Sequence, residues 1–284
     1  MKYPVKSLTM LHEGSMMKIR KNLKKGKRTM QLWTVPHAKT QIIAIALMLV
    51  ITVLLKLLLG KKEWRFRMIP IQVITVSLLL LEVVKQALSF ARGYDLYHIP
   101  FHFCSIFIFI MPVMSFYRGK HKNLVGGVTA ALCASVFLLM VIYPNLIFSE
   151  GDAANVFGGY FAFHTVVFHN LVMLSFLLIT ALRLHEPAPA FEVRATMLFM
   201  TGFCIVAGGM SQILRTNYAN MYSCNVPVIE DFRLHMQGVI GNVPTQILYV
   251  LAVSAAHILF TLLSYGFYRL VRYLQNRWSK PQKI

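Results

Sequence analysis

The run His98-Ile99-Pro100-Phe101-His102-Phe103-Cys104-Ser105 opens an apolar stretch and puts two imidazoles and a thiol at the mouth of an expected membrane helix. Ionisable groups in hydrocarbon cost free energy unless partnered, and they usually mark function. A thiolate is a strong nucleophile, but burial in apolar surroundings disfavours it, so Cys104 needs a base or a cation nearby. On a helix, His102 would stand about 200° round from Cys104, which gives it a supporting or structural place. The base must then come from another span. His164 and His169 in a later apolar segment, and His257 in the last, are the histidines at matching depth. A Cys/His dyad open to lipid suits acyl transfer or ester hydrolysis. The plainer reading is that Cys104 packs and each imidazole satisfies a backbone carbonyl.

Other groups of residues have alternatives of the same kind. His98, His102 and Ser105 would share a helical face at i, i+4 and i+7, and two histidines so spaced can bind a metal. With no carboxylate at matching depth apart from Asp95, we expect no metal and no cofactor. Glu82, Lys85 and Gln86 fall on one face of their segment, either as a self-neutralising pair or as a grip on a headgroup. Arg215, Asn217, Tyr218, Asn220 and Tyr222 form a polar-aromatic cluster suited to the membrane interface or to a polar headgroup. Gly126-Gly127, Gly158-Gly159 and Gly208-Gly209 read as close-packing points between helices. Pro112 reads as a kink. Cys133 and Cys204 read as small packing residues, and no Cys-x-x-Cys pair exists.

The elements that must position these groups follow from composition. Of 284 residues, 57% are hydrophobic and 14% charged; ordinary soluble domains carry about a quarter charged residues. We expect an all-α polytopic membrane helix bundle of six to seven transmembrane helices, over roughly 41–59, 69–91, 99–117, 123–144, 157–183, 194–214 and 244–268. Each approaches the ~20 residues that cross a ~30 Å hydrocarbon core. The domain reading is a basic polar N-terminal arm (1–40), a transmembrane helical domain (41–273) and a basic C-terminal tail (274–284). The segment 215–243 should hold a surface helix or a re-entrant piece. No A-x-A-like cleavage site precedes the first apolar run, so a removed signal peptide is not expected.

The net charge of +19 lies mostly outside the apolar runs, where basic flanks meet anionic lipid headgroups. Membrane lipids are therefore the expected partners. An aromatic-interleaved basic fold for nucleic acid is missing. Lys/Arg bias puts loops 60–67, 118–122, 184–193 and the C-terminus in the cytoplasm. Seven crossings then put the arm outside, against its ten basic residues, so whether 41–59 spans is left open. In this topology Cys104 and His164 lie roughly 10 Å deep from the outer surface and His169 roughly 18 Å. The buried polar groups gather in the outer leaflet of a plasma membrane.

The His-Ile-Pro-Phe-His-Phe-Cys-Ser run resembles the Leu-Pro-Leu-His-x-Cys-Ser signature of the YwaF-like bacterial membrane proteins, which are related to the eukaryotic transmembrane protein 164. Glu82 with Lys85, Phe168-His169-Asn170, and Asn217-Tyr218 also look like that family, over about residues 40–270. The eukaryotic relatives are described as phospholipid-remodelling acyltransferases with a Cys nucleophile. More distant relatives, the androgen-induced membrane hydrolases, act on fatty esters with Thr and His. The resemblance implies Cys104 as nucleophile, His169 as general base, His102 in support and a phospholipid substrate. His164 stands where the family often has a Gln-type residue, and so competes with His169 for the role of base. The alternatives from other classes are a small-solute or proton-coupled transporter, in which the buried His and Glu/Lys groups relay protons, and a non-catalytic membrane scaffold.

Overall fold

A computed structural model describes residues 32–278. The arm expected over 1–40 lies outside the described residues up to position 31, and the tail lies outside them from 279. The fold is all helical among the described residues: α1 (Val35–Leu59), α2 (Trp64–Ala91), α3 (Phe107–Phe116), α4 (Lys122–Ile142), α5 (Glu150–Ala154), α6 (Tyr160–Ala181), α7 (Pro189–Leu214), α8 (Pro227–Ile240) and α9 (Asn242–Trp278). Prolines open α1, α7 and α8, where the missing N–H costs no hydrogen bond and the fixed φ favours the first turn. Gly60 closes α1, and Gly241, at φ +87°, turns the chain between α8 and α9. The transmembrane bounds shift accordingly: α1 begins six residues before the expected 41, and α9 runs past 273 to Trp278.

Six helices (α1, α2, α4, α6, α7 and α9) are long and apolar enough to cross a membrane. Of these, α4 and α6 are mostly buried and form the centre, while α1 and α9 are mostly exposed at the periphery. Leu47, Leu57, Leu198, Ile205, Leu251 and Leu263 are among many exposed large apolar side chains. Such a belt is stable against acyl chains and not against water. The centre is narrow because α4 carries Gly126, Gly127, Ala130, Ala131 and Ala134 on its buried surface. A Cβ on Gly127 would stand 2.4 Å from the Glu192 side chain, and one on Gly126 would stand 2.9 Å from His185. Both glycines are close-packing points, as expected. Gly158 is not: Asn155, a neighbour in the same loop, fills its space, and Gly159 meets nothing within 4 Å.

The third apolar segment departs from expectation. It is not one helix over 99–117. Leu96–His98 is a 3-10 turn, His102 is extended (φ −73°, ψ 154°), Phe103–Ile106 is a second 3-10 turn, and only Phe107–Phe116 is α-helical. Pro100 is the physical reason. It donates no N–H, and it drives Ile99 into the extended region (ψ 136°). His98, His102 and Ser105 therefore share no helical face, and the argument that turned His102 away from Cys104 lapses. Irregular backbone is tolerated beside hydrocarbon only when protein satisfies it. Gln86 Nε2 donates to His98 O (2.8 Å), His102 Nε2 to Tyr97 O (3.0 Å), and the Tyr218 hydroxyl to Leu96 O.

Side-chain ties place the two ends of the bundle. At one end His37 Nε2 donates to Phe148 O, and Thr40 to Ala153 O, so α1 starts beside the 143–159 loop. At the other, Trp64 Nε1 donates to Leu184 O and Arg67 to Leu182 O. Helix α1 thus runs the full length of the bundle alongside α6. Its Gln41 reaches Asn170 Oδ1 at 3.2 Å.

Candidate functional site

Between α2, α4, α6, α9 and the irregular 97–105 run lies a cavity of about 410 Å³. It sits at the end of the bundle that holds the 143–159 and 215–226 loops. Cys104, His169, His102, His164, Glu82, Lys85 and Asn217 all reach it, whereas Gln86, Arg215, Tyr218 and Tyr222 do not line it. Helix α2 contributes Glu82 and Lys85, three apart on one face. Helix α6 contributes His164 and His169 with Thr165 and Phe168. The irregular run contributes His98, His102, Cys104 and Ser105, and α9 contributes His257. The walls are graded. Val136, Leu139, Phe168 and Phe260 are apolar, whereas Glu82, Lys85, Asp152 and Asn217 are polar.

Glu82 is the electrostatic hub. Its Oε1 accepts Lys85 Nζ at 2.8 Å and Gln86 Nε2 at 2.7 Å, and His164 Nε2 lies 3.2 Å from its Oε2, within ion-pair range but poorly aligned for a hydrogen bond. A buried carboxylate needs such partners. Gln86 passes the network on to His98 O, and its own Oε1 accepts the Tyr94 hydroxyl at 2.7 Å. His98 bonds Ser89 Oγ at 2.6 Å and stacks on Phe161 at 4.8 Å between centroids.

Three imidazoles are anchored alike. A backbone carbonyl only accepts, so the ring nitrogen facing one must carry its proton. His169 Nδ1 donates to Thr165 O (2.6 Å), His257 Nδ1 to Val253 O (2.9 Å), and His102 Nε2 to Tyr97 O (3.0 Å). In the neutral form the second nitrogen is then a lone pair: Nε2 of His169 and His257, Nδ1 of His102. His164 differs: its Nε2 lies 3.2 Å from Glu82 Oε2 and makes no hydrogen bond.

Cys104 is a free thiol, half-buried, in the 3-10 turn that leads into α3. Cys133 and Cys204 are buried within α4 and α7, in keeping with packing roles. No group of three or more His, Cys, Asp or Glu side chains among the described residues is placed to hold a metal ion.

Asn217 and Tyr218 build the wall. Asn217 Oδ1 accepts the backbone N–H of Tyr222 (3.2 Å) and Ser223 (3.1 Å). Tyr218 is fully buried and edge-on to the His102 ring, 5.4 Å between centroids. Arg215, Ala219 and Asn220 all have φ near +50 to +59°, a conformation costly for residues with a Cβ. Ser211 Oγ to Tyr218 O, Gln212 Nε2 to Met221 O and the Tyr249 hydroxyl to Asn220 O hold this loop in place. The polar cluster is thus a structured cap on the cavity. Asp152 and Asn225 also line the cavity, and no spacing in the sequence pointed to them.

The model of one protein family, the TMEM164 family, matches residues 32–265. No curated protein and no solved structure matches the chain.

Proposed function

The chain belongs to the TMEM164 family, and from that premise we propose that its cavity carries out acyl transfer or ester hydrolysis on a membrane phospholipid. The observation that carries this reading is one cavity lined by both the Cys104 thiol and an imidazole, His169, whose Nδ1 is committed as a donor, which leaves Nε2 as a proton acceptor. His169 is preferred to His164 because a backbone carbonyl fixes its tautomer, whereas His164 Nε2 lies against the Glu82 carboxylate at 3.2 Å. The amphipathic walls suit a lipid, with acyl chain against Val136, Leu139 and Phe260 and headgroup toward Lys85 and Asn217.

In this mechanism His169 Nε2 takes the Cys104 proton, and the sulfur attacks the ester carbonyl carbon. The tetrahedral intermediate collapses, the carbon–oxygen ester bond breaks, and the lysolipid alkoxide leaves with the proton from His169. The acyl group is then a thioester on Cys104. A water or a second lipid hydroxyl, deprotonated by His169, attacks that thioester and releases acid or new ester, and the proton returns to the thiolate. The chemistry needs no cofactor. On this reading the cavity opens to the outer leaflet of a plasma membrane, the side that Lys/Arg bias favours, and the YwaF-like bacterial branch is the setting we favour. The basic loops and arm would meet anionic lipids.

The test is lipid profiling of cells carrying wild type, Cys104→Ala, His169→Ala or His257→Ala, with mass spectrometry for a hydroxylamine-labile acyl group on Cys104. Loss of the base should cost about 10²–10⁴-fold in turnover; Cys104→Ala should be silent; His257→Ala should retain activity within about tenfold. Normal lipid turnover by Cys104→Ala would end the proposal. A second reading draws on the buried Glu82, Lys85 and His164 cluster, whose ionisable groups could relay protons in a transporter. It predicts that solute flux survives Cys104→Ala.

A further inference from the structure

Helix α8 is built inside out for a surface helix. At 100° per residue, Val228, Val239, Phe232 and Ile229 fall within an arc of about 100°, and all four are exposed, Val228 at 73% and Phe232 at 64%. The charged pair points the other way. Arg233 Nη2 meets Glu230 Oε1 at 2.6 Å, Arg233 Nη1 donates to Gln246 Oε1 at 3.2 Å, and the guanidinium lies 5.6 Å from the Tyr249 ring centroid. Cys224 N donates to Glu230 Oε2 at 2.8 Å. The Arg233 guanidinium holds the Glu230 carboxyl below the usual carboxylate range. A third arc carries exposed Asp231 and Leu234, and exposed His235 stands at its border with the apolar arc. None of the helix's 14 residues is buried.

Beside water this order would be reversed, with charges out and apolar side chains in. We infer that α8 lies in the membrane interface at the cavity end, with Val228, Ile229, Phe232 and Val239 set into the acyl chains, Asp231 and His235 toward the headgroups, and Glu230 and Arg233 clamping it to α9. Continuity supports lipid as the occupant. Directly after Gly241 in the chain, Val243, Ile247 and Leu251 of α9, a helix long and apolar enough to cross a membrane, are exposed in the same way. Interfacial helices of this kind are held by buried apolar area. The consequence lies in the preceding loop: Asn217, Ala219, Asn220 and Asn225 line the cavity, and the chain enters α8 at Pro227. An α8 seated in lipid fixes that wall, and with it the cavity mouth, at the level of the headgroups, whatever reaction the cavity performs.

Photo-crosslinking in native membranes tests this on the full chain. Phe232, Val239 and Asp231 are replaced one at a time by p-benzoylphenylalanine, and the irradiated protein is weighed intact. Adducts of phospholipid mass at 232 and 239, at least fivefold above those at 231, are expected. Equal labelling at all three positions, adducts at twice the chain mass at 232, or unmodified protein at both apolar positions would overturn the inference. Two independent apolar positions guard against one replacement disturbing the fold.

Discussion

An imidazole offers two nitrogens, and at this site the backbone decides what each does. The i−4 carbonyl of Thr165 fixes the proton of His169 on Nδ1. This was not legible in the sequence, because it depends on a rotamer. The Glu82–Lys85–Gln86 group was legible, since spacing on a helix is local geometry. The resemblance put His102 in support of Cys104, whereas the helical phase assumed from 102 to 104 turned the two apart; Pro100, just before them, argued against a helix there. The Glu82 network makes a residue-level prediction. Glu82→Ala leaves the half-buried Lys85 without its carboxylate, which should cost less than the about 3–5 kcal/mol of a fully buried pair. Glu82→Gln with Lys85→Met removes both charges and should cost less. Thermal unfolding in detergent should therefore rank the single variant below the double one. The reverse order would mean that the pair contributes nothing to the fold.

Among elements, α4 is held close to its neighbours by what it lacks. Gly127 faces the Glu192 carboxyl, itself tied down by His185 Nε2 and Ala188 N at 2.9 Å each and by the Tyr265 hydroxyl. It cannot give way cheaply. Gly127→Ala should destabilise by about 1–3 kcal/mol through overpacking, whereas Gly202→Ala in α7, with nothing within 4 Å of the added methyl, should be neutral or slightly stabilising. A fall in unfolding midpoint for the first variant only is the expected result. Of the glycine pairs read as close-packing points, Gly126-Gly127 is one at both positions, and Gly208-Gly209 only at Gly208, where an added Cβ would stand 3.1 Å from Val250 while Gly209 meets nothing within 4 Å. Gly158-Gly159 looks the same in sequence, but it precedes α6 and serves a loop. The segment after α7 was expected to hold a surface helix or a re-entrant piece, and it holds a helix, but the side that meets protein was not legible, because hydropathy gives the apolar arc without saying which side that is.

At the scale of the whole molecule the bundle has two different ends. The sequence suggested that buried polar groups gather at one of them, because 184–193 read as a loop outside the membrane. The structure adds a second buried polar group at the basic end, where His185, Glu192, Tyr265, Tyr268 and Arg272 are all nearly inaccessible. Glu192 ties α7 to the α6–α7 connection and to α9, and the Tyr268 hydroxyl donates to His185 O at 3.0 Å. Arg272 bonds Glu186 and Thr180 O. Most polar groups there have partners within the protein, Arg272 Nε excepted, as expected of a fastening. The opposite end keeps lone pairs and a thiol facing open volume, as expected of a site. The division predicts separable effects. Tyr265→Phe removes one donor from a buried carboxylate, a loss worth about 1–3 kcal/mol, so the unfolding midpoint should fall. Lipid turnover per folded molecule at a permissive temperature should stay within about twofold, or about 0.4 kcal/mol of barrier, because the change lies at the far end from Cys104. An unchanged midpoint with lost turnover would mean that the two ends are coupled and that the basic end takes part in the chemistry.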